Sequence, residues 1–214
     1  MLNTTPVVFV VHEDPEVRAS IAELIARAGW RSECFSSAGE FLARPRCAVP
    51  ACLLLDTILP DLSGIELQAR LADERSELPV LFVTACQDLA LTVQAMKAGA
   101  LEYLTLPFHP DGLLSAVAAA LEQSRTALLR RAELRALRER FSQLTPRERE
   151  VMERIVSGRL NKQVGGELGI SIITVKAHRG KVMRKMRAAS LAQLVGMSST
   201  LAGGHNRMWH GLTV

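Results

Sequence analysis

Asp56 closes the apolar run Leu53-Leu54-Leu55 and is followed by Ile58, Pro60, Asp61 and Gly64, which sets a carboxylate at the carboxyl end of a strand. Open α/β sheets bind their ligands at that edge. His12, Glu13 and Asp14 follow a second apolar run, 7–11, and Thr84 closes a third. A carboxylate, a second acidic group and a hydroxyl gathered at one sheet edge can hold Mg²⁺ and a phosphoryl group, with Asp56 as the nucleophile. Taken singly, the same residues serve as helix caps and loop polars, and Asp14 before Pro15 reads as an N-cap. A different chemistry collects further along, where Lys176, His178, Arg179, Lys181, Arg184, Lys185 and Arg187 crowd one segment. Cations on one helix suit a phosphate backbone, although a solvated basic face has the same composition.

Positioning these groups takes two kinds of architecture. In the first half, short apolar runs alternate with helical patterns: 7–11 then 15–29, 51–55 then 63–72, 80–83 then 89–99. Weaker strand signals at 32–35 and 101–105 complete a set of five, with Ser63 as a cap and Gly29 and Gly99 as stops. That alternation predicts a doubly wound parallel sheet with crossover helices. From Pro110 the pattern turns helical. Leu114, Val117, Leu121 and Leu128 keep a helical spacing, and Leu134, Leu137, Phe141 and Leu144 resume it past the arginines, so the last helix of the sheet domain is expected to run on as a linker. Its stripe of Leu114, Leu121, Leu128, Leu134 and Leu137 suggests, with the final helix, a dimer.

Four shorter helices are predicted over 146–157, 162–168, 172–186 and 191–201, broken by Gly158, Gly169-Ile170-Ser171 and Ala189-Ser190. A short helix, a glycine-containing turn and a longer cationic helix describe a helix-turn-helix, whose second helix enters the DNA major groove. Within the first of that pair, Gly165 and Gly166 each cost about 0.5–1 kcal/mol relative to Ala, which softens it. The expected boundaries are a sheet domain over 1–124, a helical linker over 125–141, a helical domain over 142–203 and a flexible tail over 204–214.

Charge divides the chain at the same place. Up to Arg125 there are 9 Lys and Arg against 16 Asp and Glu, hence −7; from Thr126 onward 17 stand against 6, hence +11. A basic half joined to an acidic one suggests a nucleic-acid-binding module attached to something that is not one. A membrane-surface helix is disfavoured, since the other face of 172–186 lacks Trp, Phe or Leu. With 48% apolar and 22% charged residues in 214, the composition is that of a globular protein of two compact units. No apolar run reaches the roughly 20 residues of a membrane span, and no basic segment precedes 7–11 to suggest export, so a cytoplasmic protein is expected. The four cysteines, Cys34, Cys47, Cys52 and Cys86, form no CxxC pair, and buried reduced thiols are the expectation.

The stretches 8–18, 53–64, 83–88 with 95–99, and 103–108 resemble, in order, the motifs of the receiver domain of two-component response regulators, a flavodoxin-like fold. The resemblance implies Asp56 as phosphoacceptor, Thr84 as the hydroxyl that follows the phosphoryl group and Tyr103 as the aromatic switch. It also implies an acidic metal-binding pair after the first strand and a lysine before Pro107-Phe108. Here the pair reads His12-Glu13, leaving Glu13 and Asp56 as ligands for Mg²⁺, and the lysine position is Leu106. Imidazole is a poor substitute for a hard oxygen around Mg²⁺, and leucine cannot make a charge-assisted contact to a phosphoryl group.

The stretch 144–197 resembles the LuxR-type DNA-binding domain, and the order of the two matches the NarL/FixJ class, on its FixJ-like side. That resemblance implies that Thr174, Lys176, Arg179 and Lys181 face bases or phosphates and that Asn161 and Lys162 approach the backbone. His178 matches a position that packs or meets a phosphate. It implies double-stranded promoter DNA, a homodimer, a sensor histidine kinase and RNA polymerase as partners. The expected function is therefore transcriptional regulation, not enzymatic turnover, with a receiver weakly dependent on Asp56 phosphorylation. Two alternatives stay open, a conventionally kinase-activated regulator and an interaction protein with incidental DNA affinity. An Asp56-dependent phosphatase of the haloacid-dehalogenase type wants a second Asp at Ile58.

Overall fold

The computed structural model describes residues 5–46, 48–75 and 77–203. They divide into two units, 1–129 and 130–214. In the first, β1 (Val7–Val11), β3 (Ala51–Leu55) and β4 (Val80–Thr84) are buried along their whole length. Such unbroken apolar strands must be covered on both faces. Less buried β2 (Arg31–Phe35) and β5 (Glu102–Thr105) form the edges of an all-parallel sheet ordered β2-β1-β3-β4-β5. Side chains alternate across it. Phe9, Leu53, Leu55 and Phe82 join Phe41, Leu67 and Leu71 on one face, while Val8, Val10, Leu54 and Leu81 join Ile21, Ile25, Leu113 and Val117 on the other.

The crossovers are α1 (Pro15–Arg27), α2 (Ala38–Ala43), α3 (Gly64–Glu74) and α4 (Leu89–Lys97). Three starts are chemically marked, the first two as the sequence suggests. Asp14 accepts the backbone N–H of Glu16 at 2.8 Å, Ser63 and Glu66 form a capping box, and Asp88 accepts from Ala90 at 2.7 Å. Helix α2 carries no strong periodicity and was not expected; it is held by Ser37 and by Asp61, which accepts from the backbone of Ala38 and Gly39.

Helix α5 (Pro110–Ser142) contains the division between the units, and Leu144 lies beyond its end. The second unit contains α6 (Pro146–Val156), α7 (Asn161–Leu168), α8 (Ile172–Met186) and α9 (Leu191–Gly203) around a core of Leu137, Leu144, Val151, Ile155, Val164, Val175, Val182 and Leu194. The expected tail, 204–214, lies outside the described residues, as does Cys47.

Two expectations are corrected. Leu114, Leu121, Leu128, Leu134 and Leu137 read as an intermolecular stripe, but Leu121 and Leu137 are consumed by the cores of their own units and Leu114 packs on the first. Of the described cysteines only Cys52 is buried, its thiol pushed up to about 12 by burial; Cys34 is exposed and Cys86 intermediate.

Candidate functional site

At the carboxyl end of the sheet, β1, β3 and β4 deliver His12, Asp56 and Thr84 to one place, all three nearly buried. The loop after β3 closes tightly on Asp56. A Cβ at Gly64 would stand 2.1 Å from the Asp56 carbonyl oxygen, so only glycine fits there. Asp56 Oδ1 accepts the backbone N–H of Ile58 at 3.4 Å, while Oδ2 faces His12 Nε2 at 3.3 Å.

His12 is held in one orientation. Its Nδ1 accepts the backbone N–H of Asp14 at 3.0 Å, and Arg18 donates to the carbonyls of His12 and Glu13 at 2.5 and 2.9 Å. An imidazole that accepts at Nδ1 carries its hydrogen on Nε2. That nitrogen makes no aligned hydrogen bond and is enclosed beside the Asp56 carboxylate. Among the described residues no group of three or more His, Cys, Asp or Glu side chains is placed to hold a metal ion. Glu13 is exposed, and Asp14 is spent on its helix cap. Mg²⁺ keeps several waters and is held by one or two carboxylates, so Asp56 and the exposed Glu13 are the side chains here that would hold it, with an imidazole where a further carboxylate would add an oxygen. Leu106 stands where β5 ends, its N–H on the Thr84 carbonyl at 2.8 Å and its side chain packed into the apolar cluster, so no ammonium reaches Asp56 from that position.

Tyr103, expected as a switch, is half-buried and stacks on Phe82 with ring centroids 5.7 Å apart, donating its hydroxyl to the Cys86 carbonyl at 3.2 Å. Burial raises its phenol above the usual value, with Thr92 and Thr57 pulling the other way. Thr57 is a contributor that the sequence reading passed over. Its hydroxyl meets that of Thr84 at 2.8 Å.

In the second unit α6 and α7 brace α8. Ser171 caps α8 by accepting from Thr174 at 3.1 Å, and Gly169, with φ 64°, ends α7. Val175, Val182 and Met186 fix one stripe of α8 in the core, which leaves Ile173, Ala177, Gly180 and Arg184 outward. Lys176 and Lys181 flank that outward stripe and are exposed, as is Lys162 at the start of α7. Thr174 is partly exposed. Arg179 is half-buried and donates to Asn161 Oδ1 at 3.2 Å, tying the two helices together. His178 keeps Nδ1 buried without a hydrogen-bond partner, a packed position more than a displayed one. Below the face, Lys185 reaches Glu148 at 2.6 Å.

Residues 8–118 match the response regulator receiver domain and residues 142–198 match the bacterial regulatory proteins of the luxR family. The chain is a two-component response regulator of the NarL/FixJ class. Among the relatives of this regulator are nodulation protein W of Bradyrhizobium diazoefficiens, 43% identical over 93% of the chain and 88% of the relative, and the transcriptional regulatory protein FixJ of the same organism, 36% identical over 89% and 93%. A solved structure of the response regulator StyR superposes on the regulator with a TM-score of 0.80 at 41% identity, covering 91% of this chain and 98% of that one. The regulator is thus a DNA-binding transcription factor, of a family that is not enzymatic. Receiver domains as a family bind Mg²⁺ at the phosphorylation site, and response regulators commonly dimerise and pair with kinases. No helix among the described residues is long and apolar enough to cross a membrane.

Proposed function

We propose that this regulator binds promoter DNA as a homodimer and that its receiver depends little on Mg²⁺ or on phosphorylation of Asp56. The observation that carries the reading is the pair of replacements at the phosphoacceptor, an enclosed His12 nitrogen 3.3 Å from Asp56 Oδ2 and an apolar Leu106 in place of a cation. A phosphoryl group adds negative charge and acceptor oxygens, and a pocket without hard-ligated cation or ammonium stabilises neither. On this reading Glu13 and Asp56 are at most a weak cation site, and Asp56 is retained as a nucleophile of low reactivity. The receiver comprises 1–124, the linker 125–141 and the DNA-binding domain 142–203.

Dimerisation is supported by α4, where Leu89, Val93 and Met96 share one face and are 76%, 43% and 43% exposed. Large apolar side chains grouped on one helix face mark an interaction surface. Thr174, Lys176 and Lys181 on α8, with Lys162, Asn161 and Arg179, are assigned to DNA, and His178 to packing beneath that face. A cytoplasmic location and contacts to RNA polymerase and a histidine kinase are the partners this role entails.

The test is incubation with a small-molecule phosphodonor and Mg²⁺, followed by intact mass, sedimentation and DNA affinity beside Asp56→Asn. No tenfold change in affinity, the equivalent of about 1.4 kcal/mol, is expected. Stoichiometric phosphorylation with a larger gain would restore the conventional switch.

A further inference from the structure

Three side chains and the Cys86 backbone at the phosphoacceptor edge form a chain of contacts that bypasses Asp56. Thr57 and Thr84 are 4% and 1% exposed, and their hydroxyls stand 2.8 Å apart. The Thr84 hydroxyl also accepts the Cys86 N–H at 3.2 Å, and the carbonyl of the same Cys86 accepts from Tyr103. A buried hydroxyl has one hydrogen to place, and burial makes an unplaced one costly. The contact between them places one of their two hydrogens, and with Thr84 already accepting from Cys86, donation from Thr84 to Thr57 places that of Thr84. Thr57 is in turn fixed by its backbone, whose carbonyl accepts the N–H of Gly64 at 3.0 Å at the tight closure over Asp56.

We propose that Thr57 is a positioning residue that holds Thr84, the Cys86 loop and Tyr103 in one arrangement by supplying the oxygen partner that a phosphoryl group on Asp56 would otherwise supply. The proposal rests on the reading of a receiver with little dependence on phosphorylation, and it names the part that provides the alternative bias. Removing the Thr57 hydroxyl leaves that of Thr84 without its side-chain partner. Rotation of Thr84 to find another then takes the acceptor from the Cys86 N–H, and the loop carrying the Tyr103 contact is no longer tied to β4. An ensemble shifts only through a contact that differs between its states, and this hydroxyl pair is such a contact.

Tyr103 is the sole tyrosine in the chain, so fluorotyrosine incorporation yields one fluorine resonance that reports on it alone. The full-length protein is compared as wild type, Thr57→Val and Thr57→Ser, each with and without a soluble gadolinium chelate. The wild type and the Ser variant are expected to share one chemical shift and to be protected from the chelate. The Val variant, isosteric but without the hydroxyl, should move towards the free fluorotyrosine shift with at least a twofold greater relaxation enhancement. Where the Val variant loses native circular dichroism, Thr57→Ala replaces it with the same expected outcome. A Val or Ala resonance indistinguishable from wild type overturns the proposal, as does a Ser variant displaced as far as Val. Adding phosphodonor and Mg²⁺ to the wild type separates the two readings. A wild-type signal that moves then contradicts the phosphorylation reading alone, while displacement in the Val variant without donor still supports the role of Thr57.

Discussion

Adjacent glycines in α7 should respond to the same substitution with opposite sign. Gly166 is exposed and a Cβ there meets nothing within 4 Å, so Gly166→Ala gains only the helix preference, about 0.5–1 kcal/mol. Gly165 is buried, and its Cβ would stand 2.8 Å from the backbone carbonyl oxygen of Ile170 and 3.7 Å from Val175 Cγ2. That carbonyl belongs to the turn between α7 and α8, which cannot step aside as a flexible side chain would. The Gly165 carbonyl is moreover the acceptor for the N–H groups of both Gly169 and Ile170, the latter at 3.0 Å. Forcing the turn outward strains two hydrogen bonds and an overpacked contact, a cost of about 1–3 kcal/mol that outweighs the propensity gain.

The expected net change is a loss of about 1–2 kcal/mol for Gly165→Ala against a gain of about 0.5–1 for Gly166→Ala. For a domain of this size each kcal/mol moves the melting midpoint by about 4–8 °C, so the two variants should separate by at least about 6 °C in thermal unfolding followed by circular dichroism. DNA affinity supplies the second readout. The turn sets the angle at which α8 leaves α7, so Gly165→Ala should also weaken binding, while Gly166→Ala should leave it alone. If both variants shifted stability in the same direction, the turn would not be packed against Gly165 in the way described and the argument would fail.

Lys162→Ala should weaken binding to all duplexes alike and flatten the dependence of log affinity on log salt by about 1 per site, whereas Lys176→Ala should alter sequence preference; titrations at several salt concentrations on matched and random duplexes distinguish them. Glu148 is 3% exposed; burial raises its pKa, but Lys185 and Thr145 overcome that and hold it below its ordinary value of 4.5. A depressed folded pKa contributes stability above the unfolded value that is lost as pH falls through the folded one, so Glu148→Gln should cost about 2–3 kcal/mol at pH 7 and progressively less below pH 4.5 in urea unfolding. Val93→Glu on α4 should shift sedimentation of the free protein towards the monomer without changing its circular dichroism; an unchanged dimer would remove α4 from the interface.

The strands, their parallel arrangement and the start of most helices were legible because each rests on a local signal: unbroken apolar runs for β1, β3 and β4, side-chain caps at Asp14 and Ser63, and the Gly169-Ile170-Ser171 turn before α8. Helix α2 was not, since six residues held by Asp61 from another loop leave no periodicity to read. Gly165 shows the same boundary from the other side. In sequence it is a helix breaker, and only the approach of the Ile170 carbonyl reveals that the position excludes a side chain. The leucine stripe of α5 misled because helical spacing shows that a face is apolar but not what covers it. Asp56, His12 and Thr84 could be placed at one sheet edge from strand ends alone, yet the Thr57 contact could not, because rotamers of buried hydroxyls are decided by neighbours distant in sequence.

The two replacements beside Asp56 are coupled electrostatically. Histidine for a carboxylate removes a negative charge, and leucine for an ammonium removes a positive one, so the carboxylate at Asp56 keeps a similar surrounding charge in the resting protein while both means of receiving more charge are withdrawn. Losing only the ammonium would leave an acidic cluster with nothing opposite it, and losing only the carboxylate would leave an ammonium able to pair with Asp56 directly. The pair together leaves Asp56 buried beside an imidazole N–H at the end of β3, with Leu106 two strands away past the end of β5, in a pocket whose resting state is tolerable and whose phosphorylated state is not well met. Regulation through such a pocket must then act on contacts already made, which turns attention from the charge at Asp56 to the hydroxyl pair next to it.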